Sequence, residues 1–107
     1  MDFKEYQNKA GRTRNKKGYI TETANYALGM VCEAGEVGDI IKKHIFHGHT
    51  LDVENVEKEI GDVLWYMVNL CNVLELDLEE IAKGNIKKLE KRYPNGFSQE
   101  DSLNRKE

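Results

Sequence analysis

Apolar residues recur at spacings of three and four through two long stretches of the chain, and that period is helical. In the first, Ala27, Met30, Ala34, Val37, Ile41 and Ile45 form one stripe, which predicts a helix from about Thr21 to His44. Thr21 or Thr23 is the expected cap at its start. In the second, Val53, Val56, Ile60, Val63, Met67, Leu70 or Cys71, and Leu74 predict a helix from about Val53 to Leu74, with Asp52 as its N-cap. A thinner face of Ile81, Ile86 and Leu89 predicts a third long helix over Leu78 to Arg92. Asp77, followed three residues later by Glu80, reads as a variant capping box for it. A short helical segment, Asp2 to Lys9, precedes these elements. It is separated from them by the basic, glycine-bounded stretch Gly11 to Gly18.

No stretch alternates in the way a strand requires, and the single proline, Pro94, leaves the earlier segments unbroken. Short connections between long helices imply antiparallel neighbours. The expected fold is therefore all-α, an up-and-down bundle of about four helices. Residues 1–97 form one domain, and 98–107 form a polar tail with little reason to stay helical.

Composition narrows the functional classes. A net charge of −3 over 107 residues argues against binding a nucleic-acid polymer. No apolar run approaches the length of a membrane span. The charged N-terminus, Met1-Asp2-Phe3-Lys4-Glu5, lacks an apolar signal core, so a cytoplasmic location is expected. Cys32 and Cys71 both fall within apolar helical patterns and are expected as buried, reduced thiols.

The chemistry lies in an internal echo. Glu33-Ala34-Gly35-Glu36-Val37 and Glu59-Ile60-Gly61-Asp62-Val63 share one register of acid, apolar residue, glycine, acid and valine. With Ala34 or Ile60 at the centre of its stripe, the two acids of each motif fall at roughly −100° and −160° around the helix. Each helix therefore carries a carboxylate pair beside its apolar stripe. Antiparallel packing would turn all four acids toward one groove. Like charges at such spacing repel one another. Mg²⁺ reverses that cost, because it seeks oxygen ligands and commonly bridges carboxylates and phosphates. Such a site suits phosphoryl chemistry. Gly35 and Gly61 each cost about 1 kcal/mol inside a helix relative to alanine. They call for a close neighbour, either a ligand or a packed helix.

Glu33-x-x-Glu36 followed by Glu59-x-x-Asp62 resembles the paired acidic motif of MazG-like nucleotide pyrophosphohydrolases, members of the all-α NTP pyrophosphatase superfamily. The stretch Asn85 to Phe97, with Asn85, Lys88 and Arg92-Tyr93-Pro94, is similar to that family's last helix. The resemblance covers roughly Thr21 to Phe97, and Cys32 stands where many relatives carry a further glutamate. It implies a homodimer or homotetramer. It also implies Mg²⁺-dependent hydrolysis of NTP or dNTP to monophosphate and pyrophosphate, with Mn²⁺ as a substitute ion. The metal and catalytic roles then fall to Glu33, Glu36, Glu59 and Asp62. Asn85, Lys88 and Arg92, on one helix face, would meet phosphate or sugar, and Tyr66, with Trp65 beside it, would stack on the base.

Other features carry less. Asp39 continues the acidic series after Glu36 and reads as a surface or supporting residue. His44, His47 and His49 cluster at a helix end without the spacing of a zinc finger. Arg12, Arg14, Lys16 and Lys17 form a basic stretch that reads first as a solvated loop and only second as a contact for a triphosphate. A rival reading keeps the helices but not the turnover, as a module for oligomerisation or partner binding.

Overall fold

The computed structural model describes residues 1–106. Five helices follow in order: α1 (Phe3–Gly11), α2 (Tyr19–Phe46), α3 (Val53–Val73), α4 (Leu78–Arg92) and α5 (Gln99–Leu103). The fold is all-helical, as the periodicity requires. Among the described residues β pairing amounts to one isolated bridge, Pro94 to Gly96. No described helix is long and apolar enough to cross a membrane.

Helix α2 begins earlier than expected. Gly18 is its N-cap, with φ at 98° and no side-chain bond to the first turn. Thr23 instead donates its hydroxyl to the Tyr19 carbonyl, 2.6 Å away, inside the helix. The threonines therefore do not cap it; the glycine sets the turn by its backbone alone. The other caps match the pattern. Asp52 accepts from the Asn55 amide, and Asp77 accepts from the Glu79 and Glu80 amides. The polar tail is not featureless. Ser98 accepts from the Asp101 amide and starts α5, while Glu107 lies outside the described residues.

Helices α2 and α3 pack antiparallel along their length. Gly29 and Tyr26 lie opposite Tyr66, Glu33 lies opposite Glu59 and Asp62, and Ile40 lies near Asn55. Helix α1 packs on α3, and α4 packs on α1. The small core is Ala10, Val68, Cys71 and Leu78, flanked by Tyr6, Leu64, Trp65 and Met67. An amide network joins the same elements. Buried Asn69 donates to the Ala10 carbonyl, Asn72 donates to Asn69 and Gln7, and Gln7 accepts from the Leu78 amide at the start of α4. Buried amides persist because each has found a partner.

Much of the expected apolar stripe is not covered. Ile45 is 63% exposed, Val53 63% and Ile60 55%, while on another face of α2 Leu28 and Val31 are each 65% exposed. Cys32 is exposed too, contrary to expectation, because it lies on α2 away from α3; Cys71 is buried. The radius of gyration is 17.0 Å, against about 13 Å for a compact chain of this length. The helices thus form an open arrangement with several unpartnered apolar faces.

Candidate metal centre

The i, i+3 spacing and the antiparallel register bring three of the four motif acids together. Ligand oxygens of Glu33, Glu59 and Asp62 lie within 4.8 Å of one another. Glu33 and Glu59 are partly buried, while Asp62 faces solvent. Glu36, one turn further along α2, stands outside this trio and lines an adjacent polar cavity of about 320 Å³. It remains close enough for its charge to act on Glu33.

The trio is electrostatically uncomfortable. Glu33 is pushed up to about 7, first because its protonated form hydrogen-bonds to Glu59, then by desolvation and by the charges of Glu59, Asp62 and Glu36. Glu59 Oε2 is buried and lacks a hydrogen-bond partner. A buried acceptor left without a donor is costly. A hard divalent cation satisfies such oxygens directly and removes the repulsion. The donor set is all carboxylate, which suits Mg²⁺ or Mn²⁺ better than softer metals. These residues therefore fit a divalent ion.

The neighbourhood differs at the two ends of the trio. Toward the N-terminal end of α2 lies an aromatic group. Tyr66 meets Trp65 edge-on at 5.1 Å, and Tyr26 lies 5.8 Å from Trp65 and 6.5 Å from Tyr66. Tyr66 is partly buried and its ring occupies the space where Gly29 lacks a side chain. Gly29, not Gly35 or Gly61, is the glycine of close approach; a Cβ at either of the other two would meet nothing within 4 Å. Within the chain, helix packing therefore does not explain Gly35 and Gly61.

Behind the aromatic group sits a network that the sequence reading missed. Arg14 reaches both oxygens of buried Glu22, at 3.3 and 3.0 Å, and the Tyr26 hydroxyl donates to Glu22 at 3.2 Å. The Arg14 guanidinium holds the Glu22 carboxyl below its ordinary value. Trp65 fixes the same loop by donating to the Thr13 hydroxyl. Arg14 is thus committed to structure rather than poised for a triphosphate. The available signal was slight, an acid in the first turn of α2 four residues before a tyrosine.

At the other end, Asp39 pairs with Lys43 at 2.8 Å and Lys42 at 3.5 Å. The histidines do not converge as ligands among the described residues. His44 Nδ1 bonds the His49 carbonyl at 2.7 Å, so it holds the loop after α2. Asn85 and Lys88 are exposed on α4, and the Arg92 guanidinium lies 5.9 Å from the centre of the Tyr93 ring. Their helix packs on α1.

Residues 21–97 match the model of the MazG nucleotide pyrophosphohydrolase domain. The Gene 37 protein of Mycobacterium phage L5 is 32% identical to this chain over 73% of it and 72% of the phage protein. No solved structure matches. With the family model spanning most of its length and both acidic motifs, the chain belongs to the MazG nucleotide pyrophosphohydrolase domain family.

Proposed function

We propose that this chain hydrolyses nucleoside triphosphates, ribo- or deoxyribonucleotides, to the monophosphate and pyrophosphate, clearing aberrant or surplus nucleotides from the cytoplasm. The observation that carries the reading is the convergence of Glu33, Glu59 and Asp62, with Glu59 Oε2 unsatisfied, in a chain of this family. Glu33, Glu59 and Asp62 would hold Mg²⁺, with Glu36 joining from the edge of the trio. The bound ion supplies positive charge to the phosphates and acidifies water.

The chain's own residues then divide the work. The carboxylates orient the attacking water for in-line displacement at the α-phosphorus, and pyrophosphate departs. Tyr66, one turn beyond Asp62, would stack on the base. Asn85, Lys88 and Arg92 present hydrogen-bond donors to phosphate or sugar from one face of α4. Their helix lies on α1 rather than along the α2–α3 groove, and apolar faces of α2 and α4 are bare. Both facts favour a homodimer or homotetramer in which α4 of one copy approaches the groove of another. Exposed apolar patches of this kind commonly mark such interfaces.

The test is a panel of NTPs and dNTPs incubated with Mg²⁺ and pure protein, with products identified. Pyrophosphate and monophosphate from at least one nucleotide support the reading. Orthophosphate as the product, or no turnover with any nucleotide, overturns it, and the second result leaves a non-catalytic assembly module.

A further inference from the structure

Helix α4 is held to the body of the chain at its start, and we infer that Gln7 of α1 aims it: the Gln7 side-chain amide clamps the base of α4 and so sets where Asn85, Lys88 and Arg92 meet the nucleotide. Gln7 is then a positioning residue for substrate binding, not a catalytic one. The inference rests on the pyrophosphohydrolase reading and adds to it a residue from outside the acidic groove.

The geometry is that of a lever. Leu78, the first residue of α4, is buried in the core with Ala10, Val68 and Cys71. From Glu80 to Lys91 every residue except Ala82 is exposed. Beyond the first turn an open cavity of about 430 Å³ is lined by Phe3 of α1 and by Ala82 and Ile86 of α4, so packing there is loose. At about 1.5 Å per residue, Asn85, Lys88 and Arg92 stand about 10, 15 and 21 Å from Leu78 along the axis. A tilt of about 10° at the base therefore carries Lys88 through roughly 2.6 Å and Arg92 through roughly 3.7 Å. Misplacement by about 1 Å can cost about a hundredfold where groups must meet a bound substrate.

Gln7 grips the base of the lever with its whole side-chain amide. The nitrogen donates to Asn72 Oδ1 at 2.9 Å and to the Leu76 carbonyl at 2.8 Å, and the oxygen accepts from the Leu78 amide at 3.0 Å. One side chain thus ties together α3, the turn after it and the first residue of α4. The amides at a helix start have no helical carbonyl to reach. Asp77 answers those of Glu79 and Glu80, and Gln7 answers the Leu78 amide.

The clamp is itself held in place. Asn72 donates to the Gln7 carbonyl at 3.3 Å and to Asn69 Oδ1 at 3.0 Å, which turns its own oxygen toward the Gln7 nitrogen. Gln7 and Asn72 therefore each have oxygen and nitrogen assigned by their neighbours, and the Gln7 amide has one orientation. The turn it grips is defined too. Glu75 adopts φ of 58°, and the Leu76 amide returns to the Cys71 carbonyl at 2.8 Å, which closes α3. The acidic trio, by contrast, lies on α2 and α3. Loosening the clamp should disturb the aim of α4 and leave the metal centre as it is.

The experiment compares Gln7→Met and Gln7→Glu with the intact wild-type chain, using the nucleotide that the wild type hydrolyses. Methionine fills the same space without hydrogen bonds, and glutamate keeps the length and an acceptor but has no donor at neutral pH. In both variants KM should rise roughly tenfold, the effect of losing a hydrogen bond to a charged ligand. The value of kcat should stay within about twofold, because the lost contacts serve binding. Mn²⁺ affinity, followed by electron paramagnetic resonance, should not change. Hydrogen exchange at the Leu78 amide should quicken while that at Val68 does not. Unchanged KM in a folded variant, a fall in kcat at unchanged KM, or a matching loss of Mn²⁺ affinity each overturns the assignment. Failure of both variants to fold overturns it as well, because Gln7 would then support the whole domain rather than aim one helix. In all these cases the wild-type chain still releases pyrophosphate, and the pyrophosphohydrolase reading stands. A wild-type chain that turns over no nucleotide removes that reading and this assignment together.

Discussion

Two glutamates on α2, three turns apart, live in opposite electrostatic surroundings. Glu22 is buried but answered, gripped through both oxygens by Arg14 and bonded by the Tyr26 hydroxyl. Glu33 is half-exposed but crowded, facing Glu59, Asp62 and Glu36 with no cation among the causes of its shift. One carboxyl is held below its ordinary value and the other is pushed up to about 7. The difference separates two uses of a carboxylate. Where the fold supplies the countercharge, the acid is structural. Where the fold leaves it out, the acids have the arrangement that a divalent ion would fit.

The sharpest way to break that comparison is to neutralise each side. Glu59→Gln or Asp62→Asn should reduce pyrophosphate release by at least roughly a hundredfold, since even supporting partners of metal ligands cost ten- to a hundredfold. Their melting temperature in EDTA should hold or rise, because repulsion is relieved. Glu22→Gln should do the reverse, lowering the melting temperature while the rate per folded molecule changes little. Activity assays and thermal melts on the same preparations check both. Parallel behaviour of the two sites would collapse the distinction.

Arg14→Met attacks the structural side alone. It leaves Glu22 buried without its cation, a class of change that ranks among the more damaging single substitutions. The melting temperature should fall by several degrees, and the double variant Arg14→Met, Glu22→Leu should recover part of the loss. Gly29→Ala is the packing counterpart, because its methyl group would collide with the Tyr66 ring. Overpacking of this kind costs about 1–3 kcal/mol. A melt of Gly29→Ala matching wild type would mean that Tyr66 moves freely.

The pH profile separates the two glutamates without mutation. For Glu22 the folded value lies below the unfolded one, near 4.5. Its contribution is present above that value and is lost as pH falls through the lowered one. For Glu33 the sign is opposite. The folded form keeps its proton up to about 7, so the contribution of its hydrogen bond to Glu59 is present below 4.5 and is lost as pH rises from 4.5 to 7. Thermal melts in EDTA should therefore weaken on the acid side through Glu22 and between pH 4.5 and 7 through Glu33. Glu33→Gln should erase only the second arm. Saturating Mg²⁺ should erase it too, since metal binding displaces the proton.

The two regions were not equally legible in the sequence. The helices of the acidic groove announced themselves through a 3.6-residue period, and the Asp52 and Asp77 caps through residue type. The paired motifs placed Glu33, Glu59 and Asp62 on facing sides because both pairs sit at the same angle from their stripes. The same argument put Glu36 in the group. It gave the angle of Glu36 but not its height along the groove, because a common angle on each helix does not fix where two helices cross, and the oxygens that meet there are those of Glu33, Glu59 and Asp62. The Arg14–Glu22–Tyr26 network was unreadable, because it depends on a loop folding back over α2. The bare faces of Val31, Ile60 and Ile86 were missed for a related reason. Periodicity reports that a face will be covered, not whether the same chain covers it.

The smallest effect bears on that last point. Gly35 and Gly61 lie between paired acids, and a Cβ at either meets open space in the isolated chain. On helix propensity alone, Gly35→Ala or Gly61→Ala should stabilise a lone chain by about 1 kcal/mol. The comparison with Gly29 then becomes informative, since Gly29 is filled by Tyr66 while these two are empty. If a second copy or the bound nucleotide fills the space, the added methyl group must cost something there. Melts at low and high protein concentration, with and without nucleotide, separate the cases. Stabilisation at every concentration, with nucleotide affinity intact, would mean that neither glycine marks a contact. Stabilisation only of the dilute, ligand-free chain would place the missing neighbour beside the acids, where the fold has left both room and unanswered charge.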